Sequence, residues 1–312
     1  MVEERKKYHL VTRSDMDGLV SAILLKRLNL INEITFVHPK DVQDGKIELG
    51  PGHITTNLPY CENVHLCFDH HSSEMQRVKG DRLNRFIDPA AASAARVIYQ
   101  HYGGEKTFQS IPKEMIAAVD KADSAKLSLQ DVLNPAGWEL LSFIMDARTG
   151  LGRFRTFNVS NYNLMMDLID YCQDHNIEEI LQLPNVKERA DLYFSHQEMA
   201  KEQIKHCSTL YKNLVVMDLR KEETIYVTNR FTIYALYPEC NISIHVMWGV
   251  KKQNTVFAVG KSIFTHTSKV NIGKLMLEYG GGGHESAGTC QISNEKAEMV
   301  RQELIRRITA EA

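Results

Sequence analysis

The chain has no apolar run approaching the roughly 20 residues that cross a bilayer, which excludes a membrane-spanning helix. Its six cysteines (61, 67, 172, 207, 240 and 290) are scattered and form no Cys-x-x-Cys pair. That argues against a structural zinc site and against a disulfide framework. Neither sign of charge dominates, the formal net charge being −2. A polyanionic ligand must therefore be drawn by a local basic patch or by bound cations, not by the global field. This disfavours a non-specific duplex-DNA binder. Internal repeats, low-complexity tracts and coiled-coil heptads are also missing. The opening Met1-Val2-Glu3-Glu4-Arg5-Lys6-Lys7 mixes both charges and holds no signal-peptide core, so the expected compartment is the cytoplasm.

What is present is ordinary globular material. With 43% apolar and 24% charged residues over 312 positions, the chain can build two domains. The first half alternates strand-like and helix-like patterns. Tyr8 to Thr12 reads as a strand, Gly18 to Leu28 as a helix, and Glu33 to His38 as a second strand. Asp44-Gly45 marks a tight turn. Val64 to Phe68 reads as a short buried strand. Asp88-Pro89 looks like a helix start, with the small-residue helix Ala91 to Tyr102 following. Another helix runs from Ile111-Pro112 towards Asp123. Alternating strands and helices imply a mainly parallel sheet with helices on both faces. From Gly137 to Lys212 the pattern is helical, and its charged last stretch reads as a long connecting helix. Strands are then expected at Leu214 to Leu219, Thr224 to Val227, Ile242 to Val250 and Thr255 to Gly260. Helices at Ile272 to Tyr279 and Asn294 to Ile308 flank a glycine run. The expected fold class is α/β: an amino-terminal domain over 1–185, a helical linker over 186–212 and a smaller α/β domain over 213–312.

Four clusters carry chemistry. Asp69-His70-His71 leaves the carboxyl end of a buried strand, where open α/β sheets place their ligands. Imidazole and carboxylate together suit divalent transition metals such as Mn, Fe and Zn. Arg13-Ser14-Asp15-Met16-Asp17-Gly18 sits between the first strand and first helix, its two carboxylates able to approach one cation or straddle two. Those carboxylates could equally cap the helix. Asp120 and Asp123 form a further acidic pair at helical spacing. The run Gly280-Gly281-Gly282-Gly283-His284 has no evident structural need of its length, and its amides could form a nest for phosphate oxygens.

In this order, Asp-x-Asp, Asp-His-His and Gly-Gly-Gly-Gly-His resemble the DHH phosphoesterase superfamily with its DHH-associated carboxyl-terminal domain, over nearly the whole chain. The resemblance implies hydrolysis assisted by one or two divalent ions, usually Mn, in a cleft between the two domains. It implies Asp15, Asp17 and His70 as metal ligands, with either Asp123 or Asp120 from the fourth motif. Asp69 would orient the ligands and His71 would face the phosphate. Gly281, Gly282, Gly283 and His284 would hold the substrate, with His266 and Lys261 nearby.

The match departs at three places, the mildest being His266, where relatives often carry a substrate-binding arginine. The family's first motif begins with histidine, and here Arg13 stands instead. Arginine cannot ligate a metal but can hydrogen-bond a phosphate. The second motif normally supplies an aspartate, and the matching position is read here as His53. The implied function is a phosphoesterase acting on a short oligonucleotide, including single-stranded RNA or DNA, a nucleotide or polyphosphate, with a homodimer admitted and no membrane partner. The alternative is a catalytically weakened member that binds a nucleotide or phosphate.

Overall fold

The computed structural model describes residues 6–310; the mixed-charge residues 1–5 and the last two residues lie outside the described residues. The chain divides into two compact units. One comprises residues 1–126, 135–147 and 151–191; the other comprises 127–134, 148–150 and 192–312. Among the described residues no helix is long and apolar enough to cross a membrane.

The strands, in chain order, are β1 Tyr8–Thr12, β2 Ile31–Phe36, β3 His53–Thr56, β4 Leu66–Asp69, β5 Arg85–Ile87, β6 Ser208–Tyr211, β7 Leu214–Asp218, β8 Ile242–Trp248, β9 Thr255–Lys261, β10 Gly282–His284 and β11 Ala287–Ile292. The α-helices are α1 Met16–Arg27, α2 Pro39–Gln43, α3 Ser72–Arg77, α4 Ala94–His101, α5 Lys113–Asp123, α6 Leu129–Leu133, α7 Gly137–Met145, α8 Asn161–Asp174, α9 Ile177–Gln182, α10 Pro184–Cys207, α11 Thr232–Leu236, α12 Ile272–Leu277 and α13 Ala297–Ala310.

The first unit is built on a five-stranded sheet in the order β2-β1-β3-β4-β5. Every neighbouring pair is parallel. All five carboxyl ends therefore open on the same edge, and loops leaving that edge carry the candidate site. Helix α1 is buried along almost its whole length because it packs against α4, α5 and α8. That explains a helix apolar nearly all round rather than striped.

The second unit holds a six-stranded sheet, β10-β11-β9-β8-β7-β6, in which only β7 and β8 run parallel. Its core joins Ile242, Ile244, Val246, Phe257 and Val259 of the sheet to Ile272 and Met276 of α12 and Leu304 and Ile308 of α13. These residues alternate along β8 and β9, as a sheet covered on that face requires.

Three expectations are corrected. Asp88 does not start a helix: its carboxylate accepts from Ala90 N at 2.9 Å in a local turn, and α4 begins later, capped by Ser93. Thr224 to Val227 is not a strand. Its backbone groups bond to side chains of α10, Tyr226 N to Gln203, Val227 N to His196, and Thr224 O to Gln203. An extended segment satisfied in this way needs no neighbouring strand. The glycine run is not a loop between helices, because it enters β10 and pairs with β11.

Candidate active site

The site begins where β1 hands over to α1. Asp15 caps the helix, its Oδ1 accepting from Gly18 N at 3.0 Å. Its Oδ2 lies 3.2 Å from Arg13 Nε. A Cβ at position 18 would sit 1.9 Å from the Arg13 carbonyl oxygen, so only glycine allows this turn. The turn carries the next carboxylate, Asp17, into the interior, where it is 1% exposed. Asp17 Oδ2 accepts from Ala94 N at 3.0 Å and Oδ1 from Ala95 N at 2.7 Å. Both amides belong to the first turn of α4, whose positive dipole end suits an anion.

The second contribution comes from β4. Asp69 is buried at the strand end and its Oδ1 accepts from His71 Nδ1 at 2.7 Å, which sets the His71 tautomer. His70 turns towards α5, its Nε2 lying 2.7 Å from Asp123 Oδ2. Two groups of potential ligand atoms result, Asp17–His70–Asp123 and Asp69–His70–His71, each with all atoms within 4.8 Å of one another.

Electrostatics are uneven across this cluster. Burial pushes the Asp17 carboxyl well up, and the nearby Asp123 and Asp15 carboxylates push it further. His70 and the Ala95 amide pull it back. Burial would lower the His70 imidazole, but Asp123 above all, then Asp17 and Asp69, outweigh it and raise the group to about 9. Carboxylates forced together in a buried site call for a positive partner.

A divalent cation fits these residues. Asp69 Oδ2 is buried and makes no hydrogen bond, and His70 Nε2 faces Asp123 Oδ2 at 2.7 Å. Neutral imidazole and carboxylate are donors that Mn, Fe or Zn accept. Buried polar atoms without partners are rare and require a reason.

The structure also separates the candidates that the sequence left together. Asp123 joins Asp17 and His70, whereas Asp120 accepts from Ser93 and Arg96 instead. His53, read from the sequence as the second-motif position, is not among the residues brought together in these clusters. It lies at the amino end of β3, beside His9, with Nδ1 3.1 Å from Gly50 N, at the wrong edge of a parallel sheet. The segment read as a loop is a strand, so the residue at the functional edge is the one that follows Thr56. That residue is Asn57, which sequence reasoning missed. Val11 pairs with Thr55 and Thr56 with Phe68, and Asn57, just past the end of β3, donates its N–H to Phe68 O at 3.0 Å, next to Asp69. Asn57 is 1% exposed and adopts φ 55°, a left-handed conformation that asparagine tolerates. Neither atom of its side-chain amide has a hydrogen-bond partner. The signal that could have found it is the Ile54-Thr55-Thr56 run, β-branched throughout and ending in a short polar residue, as β4 ends in Asp69.

In the second unit, Gly282, Gly283 and His284 form β10, and Gly281 precedes it. Lys261 ends β9, donates its backbone N–H to Ser286 O at 2.8 Å and places Nζ 3.5 Å from Glu285. His266 is exposed on the loop between β9 and α12. The length of the glycine run does have a structural cause. A Cβ at Gly281 would lie 2.0 Å from Thr289 O, and one at Gly283 2.2 Å from Ala287 O.

Scans against protein-family models and curated proteins return no match. Solved structures do. A pGpG-specific phosphodiesterase, PggH from Vibrio cholerae, is 59% identical, with a TM-score of 0.86, covering 98% of this chain and 100% of that one. RecJ in complex with Mn2+ from Thermus thermophilus is 12% identical with a TM-score of 0.54, covering 98% of this chain and 52% of that one. CDC45 from Entamoeba histolytica is 9% identical with a TM-score of 0.55, covering 97% and 96%. The last two are likenesses of fold. On the whole-length identity to the first, the chain belongs to the DHH phosphoesterase superfamily and is a hydrolase.

Proposed function

We propose that the protein hydrolyses a short linear dinucleotide of the pGpG kind, with Mn as its working cation. One observation carries the reading: the Asp17–His70–Asp123 cluster occurs in a chain 59% identical, over its full length, to a pGpG-specific phosphodiesterase. Asp17, His70 and Asp123 would hold the cation, with Asp15 and Asn57 beside them. A divalent ion held by these residues would supply Lewis-acid chemistry, activating a water and offsetting charge on the non-bridging phosphate oxygens.

The remaining roles follow from the chain's own groups. Asp69 keeps Nδ1 of His71 protonated, so Nε2 is the nitrogen that meets the phosphate. Arg13, always charged, hydrogen-bonds a phosphate oxygen and serves as no ligand. We assign residues 1–185 to the phosphoesterase domain, 186–212 to the linker and 213–312 to the substrate-binding domain. In the last, Gly281 to Gly283, His284, His266 and Lys261 grip the substrate.

The test is a panel assay. Purified protein with Mn is offered pGpG, longer single-stranded RNA and DNA, nucleoside bisphosphates and polyphosphate, and the products are separated by chromatography. Conversion of pGpG to two GMP molecules ahead of all other substrates is expected. Intact pGpG alongside cleavage of another substrate would overturn the dinucleotide reading.

A further inference from the structure

Asp120 stands close to the cation cluster yet takes no part in it. It and Asp123 are three residues apart on α5, so they share one face of that helix. The face has two jobs. Asp123 Oδ2 meets His70 at 2.7 Å. One turn earlier, Asp120 Oδ1 accepts from Ser93 Oγ at 2.7 Å, and Oδ2 accepts from Arg96 Nε at 2.8 Å and also from Arg96 Nη2. Ser93 is fully buried and caps α4, its Oγ accepting from Arg96 N at 3.0 Å. The three side chains thus close a ring around the start of α4. The next two amides of that helix, Ala94 N and Ala95 N, grip both oxygens of Asp17.

The ring therefore links the carriers of two proposed ligands. α4 positions Asp17, α5 carries Asp123, and the Ser93–Asp120–Arg96 contacts hold α4 and α5 together at the level of the cluster. Rotation or withdrawal of either helix would change the separation of the two carboxylates. Such separation decides affinity, because a cation site tolerates only small displacements of its donors.

We propose that Asp120, with Ser93 and Arg96, is a positioning device that sets the spacing of Asp17 and Asp123 for cation binding. The proposal rests on the cation site described above but not on the identity of the substrate. None of the three residues belongs to the groups of potential ligand atoms.

The test measures Mn affinity by titration of the metal-free full chain, with thermal melting in chelator as a parallel readout. Ser93→Ala and Asp120→Ala are expected to weaken Mn binding about 10- to 100-fold, the range found when groups supporting a metal ligand are removed. Ser93→Thr, which keeps the hydroxyl, should restore affinity to within a few-fold of the parent. Ser160→Ala is the control. Ser160 caps α8 in the same unit, accepting from Asn163 N at 3.1 Å, and reaches no proposed ligand. It should lower the melting temperature while leaving Mn affinity unchanged. If Asp120→Ala does not fold, Ser93→Ala carries the test alone. Equal Mn affinity in the parent, Ser93→Ala and Asp120→Ala would overturn the proposal, as would an equal loss in Ser160→Ala. A chain that binds Mn with the expected losses but leaves pGpG intact would overturn the dinucleotide reading and keep this one.

Discussion

Single side chains separate ligand, positioner and bystander within a space of a few residues. Asp17 is buried and His70 half-buried within one group of potential ligand atoms, so removing either leaves the others without a complete donor set. Asp17→Ala and His70→Ala should each lower Mn-dependent turnover by about two orders of magnitude or more, with a matching loss of Mn affinity. Turnover and affinity both at the parent level in either variant would remove that residue from the site. Arg13 shows why residue type matters at a fixed position. Its guanidinium sits 3.2 Å from Asp15, where it can meet a phosphate oxygen but offers no lone pair to a cation.

At the scale of elements, position along a strand or helix is what converts composition into chemistry. Parallel strands bring their carboxyl ends to one edge, so Asp69 and Asn57 become neighbours although twelve positions apart in sequence. Helix α5 does the same at its own period with Asp120 and Asp123. The β10–β11 hairpin shows glycine serving two purposes that can be separated experimentally. Gly281→Ala drives a methyl against the Thr289 carbonyl and should destabilise the chain by about 1–3 kcal/mol in urea unfolding. Gly282 has open space where a side chain would point, so Gly282→Ala should leave stability nearly unchanged. A raised KM in Gly282→Ala would then report substrate contact at β10, and an unaltered KM would take Gly282 out of the proposed grip.

For the whole molecule the cation is a thermodynamic partner as well as a chemical one. Asp17 is repelled by Asp123 and Asp15 once the chain folds, and the unfolded chain has no such cluster. A ligand that binds only the folded chain stabilises it by about 2.7 kcal/mol at a concentration 100 times its Kd. For a unit of this size that corresponds to a rise in Tm of roughly 5–10 °C on adding Mn to chelated protein. The His70→Ala variant should show little of that rise. Identical melting of the parent in chelator and in Mn would speak against a built cation site.

Much of this is legible in the sequence itself. Strand and helix alternation, the polar residues leaving strand ends and the order of the three motifs are local patterns, and local periodicity carries them. That is why Asp69-His70-His71 marked the family. Only tertiary structure decided between Asp120 and Asp123, because both lie on one helical face and differ solely in what packs opposite. Only the strand register places His53 at the amino end of β3 and Asn57 just past its carboxyl end, because pairing with β1 and β4 joins segments distant in sequence. The glycine run likewise took its meaning from the backbone of β11, a neighbour that sequence spacing alone cannot place against it.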